Sequence, residues 1–143
     1  MSPRDLIAFL KQHKLGVVAT TASDGAAQAA VVGIATSSEL EIVFDTLTST
    51  RKYQNLRRDP RAALVVGWDE CTAQLDCIVD ELHGDELERL KVVYYEAYPD
   101  GPTRLAWPGL CYIRLRPTWA RFSDYRTKPE VIVEFGAREL RGL

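Results

Sequence analysis

The chain begins on a helical rhythm and then changes to a period of two. Leu6, Phe9, Leu10 and His13 fall at i, i+3, i+4 and i+7, which is one face of a helix. Ser2 predicts its cap, Pro3 suits the first helical position, Asp5 complements the positive end of the helix dipole, and Gly16 marks the stop. Val17 to Thr21 and Gln28 to Thr36 are β-rich runs on either side of Ser23-Asp24-Gly25, the signature of a hairpin. After the Ser37-Ser38-Glu39 turn, Leu40, Ile42 and Phe44 alternate with Glu41, Val43 and Asp45, predicting a half-buried strand. Thr48-Ser49-Thr50 predicts the start of a short helix that runs to Arg58 and ends at Asp59-Pro60. Arg61 to Trp68 and Thr72 to Leu82 read as neighbouring antiparallel strands. Gly84 to Ala97 reads as a second amphipathic helix, Leu110 to Phe122 as a long final strand, and Pro129 to Phe135 as a short addition.

Strands outnumber helices, and the helices interrupt an antiparallel meander instead of alternating with strands. That order predicts a mainly β fold, a six-stranded antiparallel barrel with peripheral helices, over a doubly wound parallel sheet. A glycine-rich dinucleotide fingerprint is missing as well. No repeat, linker or low-complexity tract divides the chain, so residues 1–143 are read as one domain. At this length a core needs no metal or disulfide to hold it.

Charge narrows the partners. The net charge is −2, so no global field recruits polyanions. The five basic residues between Arg51 and Arg61 surround Tyr53 and Leu56, which are expected to face the core, and no nucleic-acid partner is expected. Cys71, Cys77 and Cys111 match no zinc or redox spacing, and Cys77 and Cys111, in strand-like apolar runs, read as small buried hydrophobes. His13 reads as a packing histidine, His83 has no second ligand at metal spacing, and the acidic residues around His83 read as a solvated helix start. Trp68 and Trp107 read as barrel packing. No apolar stretch is long enough to span a membrane and no secretory signal is visible, so a cytoplasmic location without a membrane partner is expected.

The chemistry concentrates at the start of the short helix. A helix N-terminus carries roughly half a positive charge, so Arg51 and Lys52 are misplaced there for stability, by a few tenths to about 1 kcal/mol each. An anion would reverse that penalty. Unpaired backbone N–H groups, the hydroxyls of Thr48, Ser49 and Thr50, and two cations make a phosphate cradle without a glycine loop. The alternative is a solvated charge pair beside an ordinary hydroxyl cap.

From Gly16 to Arg126 the chain resembles the pyridoxamine-5′-phosphate-oxidase-like FMN-binding split barrels. The resemblance rests on Phe44-Asp45-Thr46, then Ser49-Thr50-Arg51-Lys52, then Asn55 to Leu64, with Gln74 and the segment Pro117 to Tyr125 in support. It implies a split barrel that binds FMN between the subunits of a homodimer. Arg51 and Lys52 would hold the phosphate, helped by Thr50 and Ser49. Thr46, preceded by Asp45, would lie near the ribityl chain, and the backbone of Ala30, Val31 and Val32 would run along the ring. Gln74, Trp119 and Arg121 would approach from across the dimer or from a neighbouring strand. The final strand, with Tyr112, Ile113, Leu115 and Trp119, and the second strand, with Val31 and Val32, are the expected interface.

The resemblance also implies flavin-dependent oxidoreductase activity on a small molecule, with no side chain singled out as acid or base. Three departures argue against the vitamin B6 reaction itself. Ala30 stands where an arginine is common, the glycine near Cys77 is missing, and so is a C-terminal Arg-x-His motif. A deazaflavin in place of FMN, or a flavin-binding sensor without turnover, are the alternatives.

Overall fold

The computed structural model describes residues 1–142. Its first helix, α1 (Pro3–Lys11), forms where the cap predicts it. Ser2 accepts from the Asp5 backbone N–H, and the Asp5 carboxylate accepts from the Ser2 backbone N–H in return. Asp5 therefore closes a capping box as well as complementing the dipole.

The strands are β1 (Leu15–Thr21), β2 (Ala27–Gly33), β3 (Ala35–Thr36), β4 (Ile42–Leu47), β5 (Arg61–Val66), β6 (Cys71–Glu81), β7 (Leu110–Asp124) and β8 (Val131–Phe135). The helices are α2 (Arg51–Arg58), α3 (Gly84–Ala97) and α4 (Ala137–Arg141), and Gly101–Ala106 forms a 3-10 turn. All strand pairs are antiparallel, in the order β2-β1-β5-β6-β7-β4-β3, with β8 added to β7. The order is not the simple meander expected: β1 pairs with β5, and β4 pairs with β7.

The run expected as one strand to Thr36 is broken at Ile34. Its first half, β2, pairs with β1, and its second half, β3, pairs with β4. Counting β2 and β3 as one bent strand, six strands curl into a split barrel whose two sheet ends are joined through the backbone of Ile34. Gly33 sits at this bend, where any side chain would have to displace Tyr98. A Cβ there would lie 2.6 Å from the Tyr98 hydroxyl, which donates to the Lys14 carbonyl across the gap.

The barrel interior is filled by Leu6 and Leu10 from α1, Val18, Ile34, Ile42, Phe44, Leu64, Leu75 and Leu115, all essentially without exposure. A second cluster lies outside the sheet, where Leu90 and Tyr94 of α3 cover Ala35, Val43 and Tyr112. This corrects the half-buried pattern expected around Val43. With α3 on its outer face, β4 is buried on both sides from Ile42 to Phe44. Tyr112, Ile113, Leu115 and Val32 are buried within the single chain for the same reasons, so they are not available as an interface. Val31 is exposed and Trp119 is half-buried on the outer face. Trp68 and Trp107 are exposed rather than packed in the barrel.

An ion network fastens α3 to the barrel. Arg114, with its side chain 6% exposed, donates to both oxygens of Asp80 at 3.0 and 2.7 Å, to Glu41 at 3.0 Å and to Glu86 at 2.7 Å. Arg89 bridges Glu41 and Glu86. Bonds from Arg89, then Arg114 and Ser37, outweigh burial and hold the Glu41 carboxyl down to about 2. Asp80 and Glu86 are thus partners of a buried arginine and not the solvated helix start the sequence suggested.

Candidate functional site

The β4–α2 junction assembles as its hydroxyls dictate. Thr50 is the N-cap of α2: its hydroxyl accepts from the Tyr53 N–H at 3.3 Å and donates to the Leu47 carbonyl at 2.9 Å. The Thr46 hydroxyl lies 3.1 Å from it, and since Thr50 has spent its hydrogen on Leu47, Thr46 is the donor. Thr46 is buried and holds the cap from beneath. The Thr48 carbonyl accepts from the Gln54 side chain, which closes the turn.

The first turn of α2 carries no acidic residue, while Arg51 is exposed and Lys52 half-buried. Among the described residues neither forms an ion pair. They look onto an open cleft of about 330 Å³ lined by Thr50, Arg51 and Lys52 on one side and by Val18, Thr20, Gln28, Ala29 and Ala30 on the other. β2 is hydrogen-bonded to β1 alone along Ala27–Gly33, so half of its backbone groups point away from the ladder. The cleft reaches round this edge, since both Ala29 and Ala30, on opposite faces of the strand, border it. Cys111 lies close by, its thiol 3.4 Å from the Thr46 carbonyl. Burial pushes that thiol up to about 11, so it is protonated and inert at neutral pH.

The remaining sequence-selected residues lie elsewhere on the chain. Asp45 turns to the opposite face of β4 from Thr46 and pairs with Arg104 at 2.8 Å, both side chains largely buried. Ser49 is exposed beside the cap. Val31 points outward and Val32 into the core. Gln74 and Arg121 are cross-strand neighbours on β6 and β7, Arg121 facing Glu134 on β8, and Trp119 lies opposite Asp76 in the next outward row. Through successive pairing this outer row runs from Val31 by Val17 and Val65 to Gln74. Within one chain, then, Thr50, Arg51, Lys52 and Ala30 meet at the cleft, whereas Gln74, Trp119 and Arg121 form a separate surface.

Three cleft-side residues escaped sequence reasoning: Thr20, Gln28 and Asn55. The buried Asn55 side chain donates to Thr20 Oγ1 at 3.0 Å and Gln28 Oε1 at 2.8 Å, tying α2 to the β1–β2 hairpin. The one local signal was an uncharged amide a helical turn beyond Arg51. The packing expectations for His13, Cys77 and Cys111 hold. His13 Nδ1 is 2.8 Å from the Phe9 carbonyl with its ring against Phe9, and Cys77 and Cys111 are buried. Among the described residues no cluster of metal-ligating side chains occurs, and no helix is long and apolar enough to cross a membrane.

No curated protein matches the chain in sequence. Several solved structures share its fold. A heme binding protein from Mycobacterium smegmatis superposes with a TM-score of 0.82 at 16% identity over 99% of this chain and 61% of that one, so this chain spans less than two thirds of its length. The heme storage protein HutZ from Vibrio cholerae gives 0.67 at 17% identity, over 82% of this chain and 91% of that one. A pyridoxamine 5′-phosphate oxidase-related, FMN binding protein from Nostoc punctiforme gives 0.66 at 13% identity, over 94% of this chain and 84% of that one. At such identities the likeness is one of fold. In sequence, the family described as pyridoxamine 5′-phosphate oxidase matches residues 3–124, and with the bent-strand barrel and the Thr50-Arg51-Lys52 helix start inside that span, the chain belongs to the pyridoxamine 5′-phosphate oxidase-like split-barrel family.

Proposed function

We propose that this protein binds FMN as a homodimer and uses it for redox chemistry on a small molecule. The observation that carries the reading is the pair of cations at the start of α2, without an acidic residue in its first turn or an ion pair among the described residues, facing a cleft beside an unpaired strand edge. A phosphate there would gain the helix dipole, the backbone N–H groups and two charge-assisted bonds at once. Arg51 and Lys52 would bind it, Thr50 and Thr46 would keep the helix start in place, and Ser49 would offer a further hydroxyl. The strand edge beside Ala30, where the backbone groups of Ala29 and Val31 point away from β1, would border the flavin ring.

Bound flavin supplies the electron transfer, and the protein supplies anchoring and orientation. Gln74, Trp119 and Arg121 share the outer face with Val31, and in a homodimer they would complete the site of the partner. Asp45, spent on Arg104, would act only by fixing β4. The Nostoc protein supports flavin. The two heme-binding structures raise the other cofactor, but the side chains lining the cleft include no imidazole, thiol, thioether or phenol to ligate iron.

Parallel titrations with FMN, a deazaflavin and hemin test the reading. Flavin quenching at tens of micromolar or tighter is expected with FMN. Saturable binding of hemin alone, or of the deazaflavin alone, would replace the assignment. Light scattering at micromolar concentration should give the dimer mass, and a monomer that still binds FMN would remove the shared site.

A further inference from the structure

The amides beside the cleft are locked in one direction by a chain of donors. Arg58 begins it, because a guanidinium can only donate. Its Nη2 donates to the Thr21 carbonyl at 2.8 Å and to Asn55 Oδ1 at 3.2 Å. With its oxygen held by Arg58, Asn55 turns its NH2 toward the hairpin, where it donates to Thr20 Oγ1 and Gln28 Oε1. Gln28 is therefore held by its oxygen, and its NH2 has no acceptor among the described residues. Gln28 lines the cleft together with Arg51 and Lys52 and is the one polar side chain that β2 offers there, its neighbours being Ala29 and Ala30. Thr20 is 4% exposed, also lines the cleft, and accepts from Asn55.

We infer that Gln28 is a further anchoring residue for the cofactor phosphate. Its NH2 donates to a phosphate oxygen alongside Arg51, and Asn55 and Arg58 are positioning residues that keep the amide in the donating orientation. The inference rests on the phosphate reading of the cleft. It extends the anion site from the helix start across to the hairpin, so that the two walls close on the same group. It also explains why a short, strongly charged helix keeps a neutral amide buried in its middle. The Asn55 side chain accepts from an arginine on one side and donates to a second amide on the other.

The test is a set of FMN and riboflavin affinities for Gln28→Leu, Asn55→Asp and the double variant. Gln28→Leu should weaken FMN about tenfold, the loss of one hydrogen bond to an anion, and leave riboflavin, which lacks the phosphate, unchanged. Asn55→Asp can no longer donate, so Gln28 turns its oxygen into the cleft and FMN affinity falls by a similar factor. Because that effect passes through Gln28, it should shrink to within about twofold once Gln28 is leucine. An Asn55→Asp penalty undiminished in the double variant, equal losses for FMN and riboflavin, or wild-type FMN affinity in Gln28→Leu would each overturn the inference.

Gln28→Glu, at a half-buried surface position, serves if Asn55→Asp does not fold. It should lose FMN affinity by more than Gln28→Leu, and affinity equal to wild type would count against the inference. If wild-type protein takes up no flavin at all, the flavin reading fails by itself. Inorganic phosphate, followed through the nitrogen resonance of the Gln28 side chain, then decides the anion site. A saturable shift of that resonance supports it, and no shift overturns it.

Discussion

Two arginine-rich regions of this molecule treat charge in opposite ways. Around α3, Arg114 and Arg89 are matched against Glu41, Asp80 and Glu86, and every contact is within the chain. At the start of α2, Arg51 and Lys52 have no acidic partner among the described residues, although the local dipole opposes them. The first arrangement fixes a helix onto a barrel. The second costs the isolated chain stability, and a structure that keeps such a cost points to a ligand outside the chain. Matched charge reads as architecture and unmatched charge as function.

That contrast can be broken first at Arg114. Arg114→Leu leaves Asp80 without its arginine and leaves Glu41 and Glu86 to Arg89 alone, and it should lower stability by about 3 kcal/mol, the low end for a broken buried pair since Asp80 and Glu86 keep some contact with water. Urea unfolding measures it, and a loss much smaller than this would mean that α3 is held by Leu90 and Tyr94 alone. Arg51→Ala and Lys52→Ala should behave inversely. Each weakens FMN binding by about 1.5–3 kcal/mol, or roughly ten- to a hundredfold, while the cofactor-free protein stays as stable or gains a few tenths of a kcal/mol. Melts with and without FMN read both quantities, and equal destabilisation in the two conditions would make these cations structural.

The matched region also has an acid signature. The Glu41 carboxyl lies near 2 in the folded chain against 4.5 ordinarily, so the unfolded state binds the proton first. Its stabilising contribution is complete above pH 4.5 and disappears as pH falls toward 2. In urea midpoints taken from pH 6 to pH 2, Glu41→Gln should lie below the wild type at pH 6 and converge with it at the acid end. Parallel curves would show that Glu41 does not titrate with folding. The smallest effect belongs to Arg61, whose pair with Asp59 is 75% exposed on the arginine side. Arg61→Ala should leave the midpoint unmoved and mark the baseline for an arginine that serves neither role.

Much of this was legible in the chain, in proportion to how local each signal was. The cap at Ser2, the Asp24-Gly25 hairpin and the end of α2 at Asp59-Pro60 are written within a few residues, and the elements form where expected. The misplaced cations of α2 were legible too, because a helix dipole is a local quantity. Val43 was misread because nothing near it announces that α3, some 45 residues further on, covers its face. The break at Ile34 had only Gly33 as a local cue, since the run otherwise continues in residues that suit a strand and bends because β3 finds β4. Thr20, Gln28 and Asn55 come from three elements, and a contact between residues 27 or 35 positions apart has no spacing to recognise.

The place of β7 has a consequence for how the barrel can be made. This one strand pairs with β6 from Ile113 to Asp124, with β4 from Leu110 to Leu115 and with β8 from Ala120 to Asp124. Thr46 must wait for Cys111, and the bent strand can close the barrel only after β4 is paired. A nascent chain therefore exposes two strand edges, those of β4 and β6, until β7 has been synthesised. Such late closure slows folding and favours association through edges. Ribosome-stalled chains ending before Leu110 should be cut by protease throughout, and those that extend beyond Phe135 should resist as a unit, with protection appearing in one step and not strand by strand.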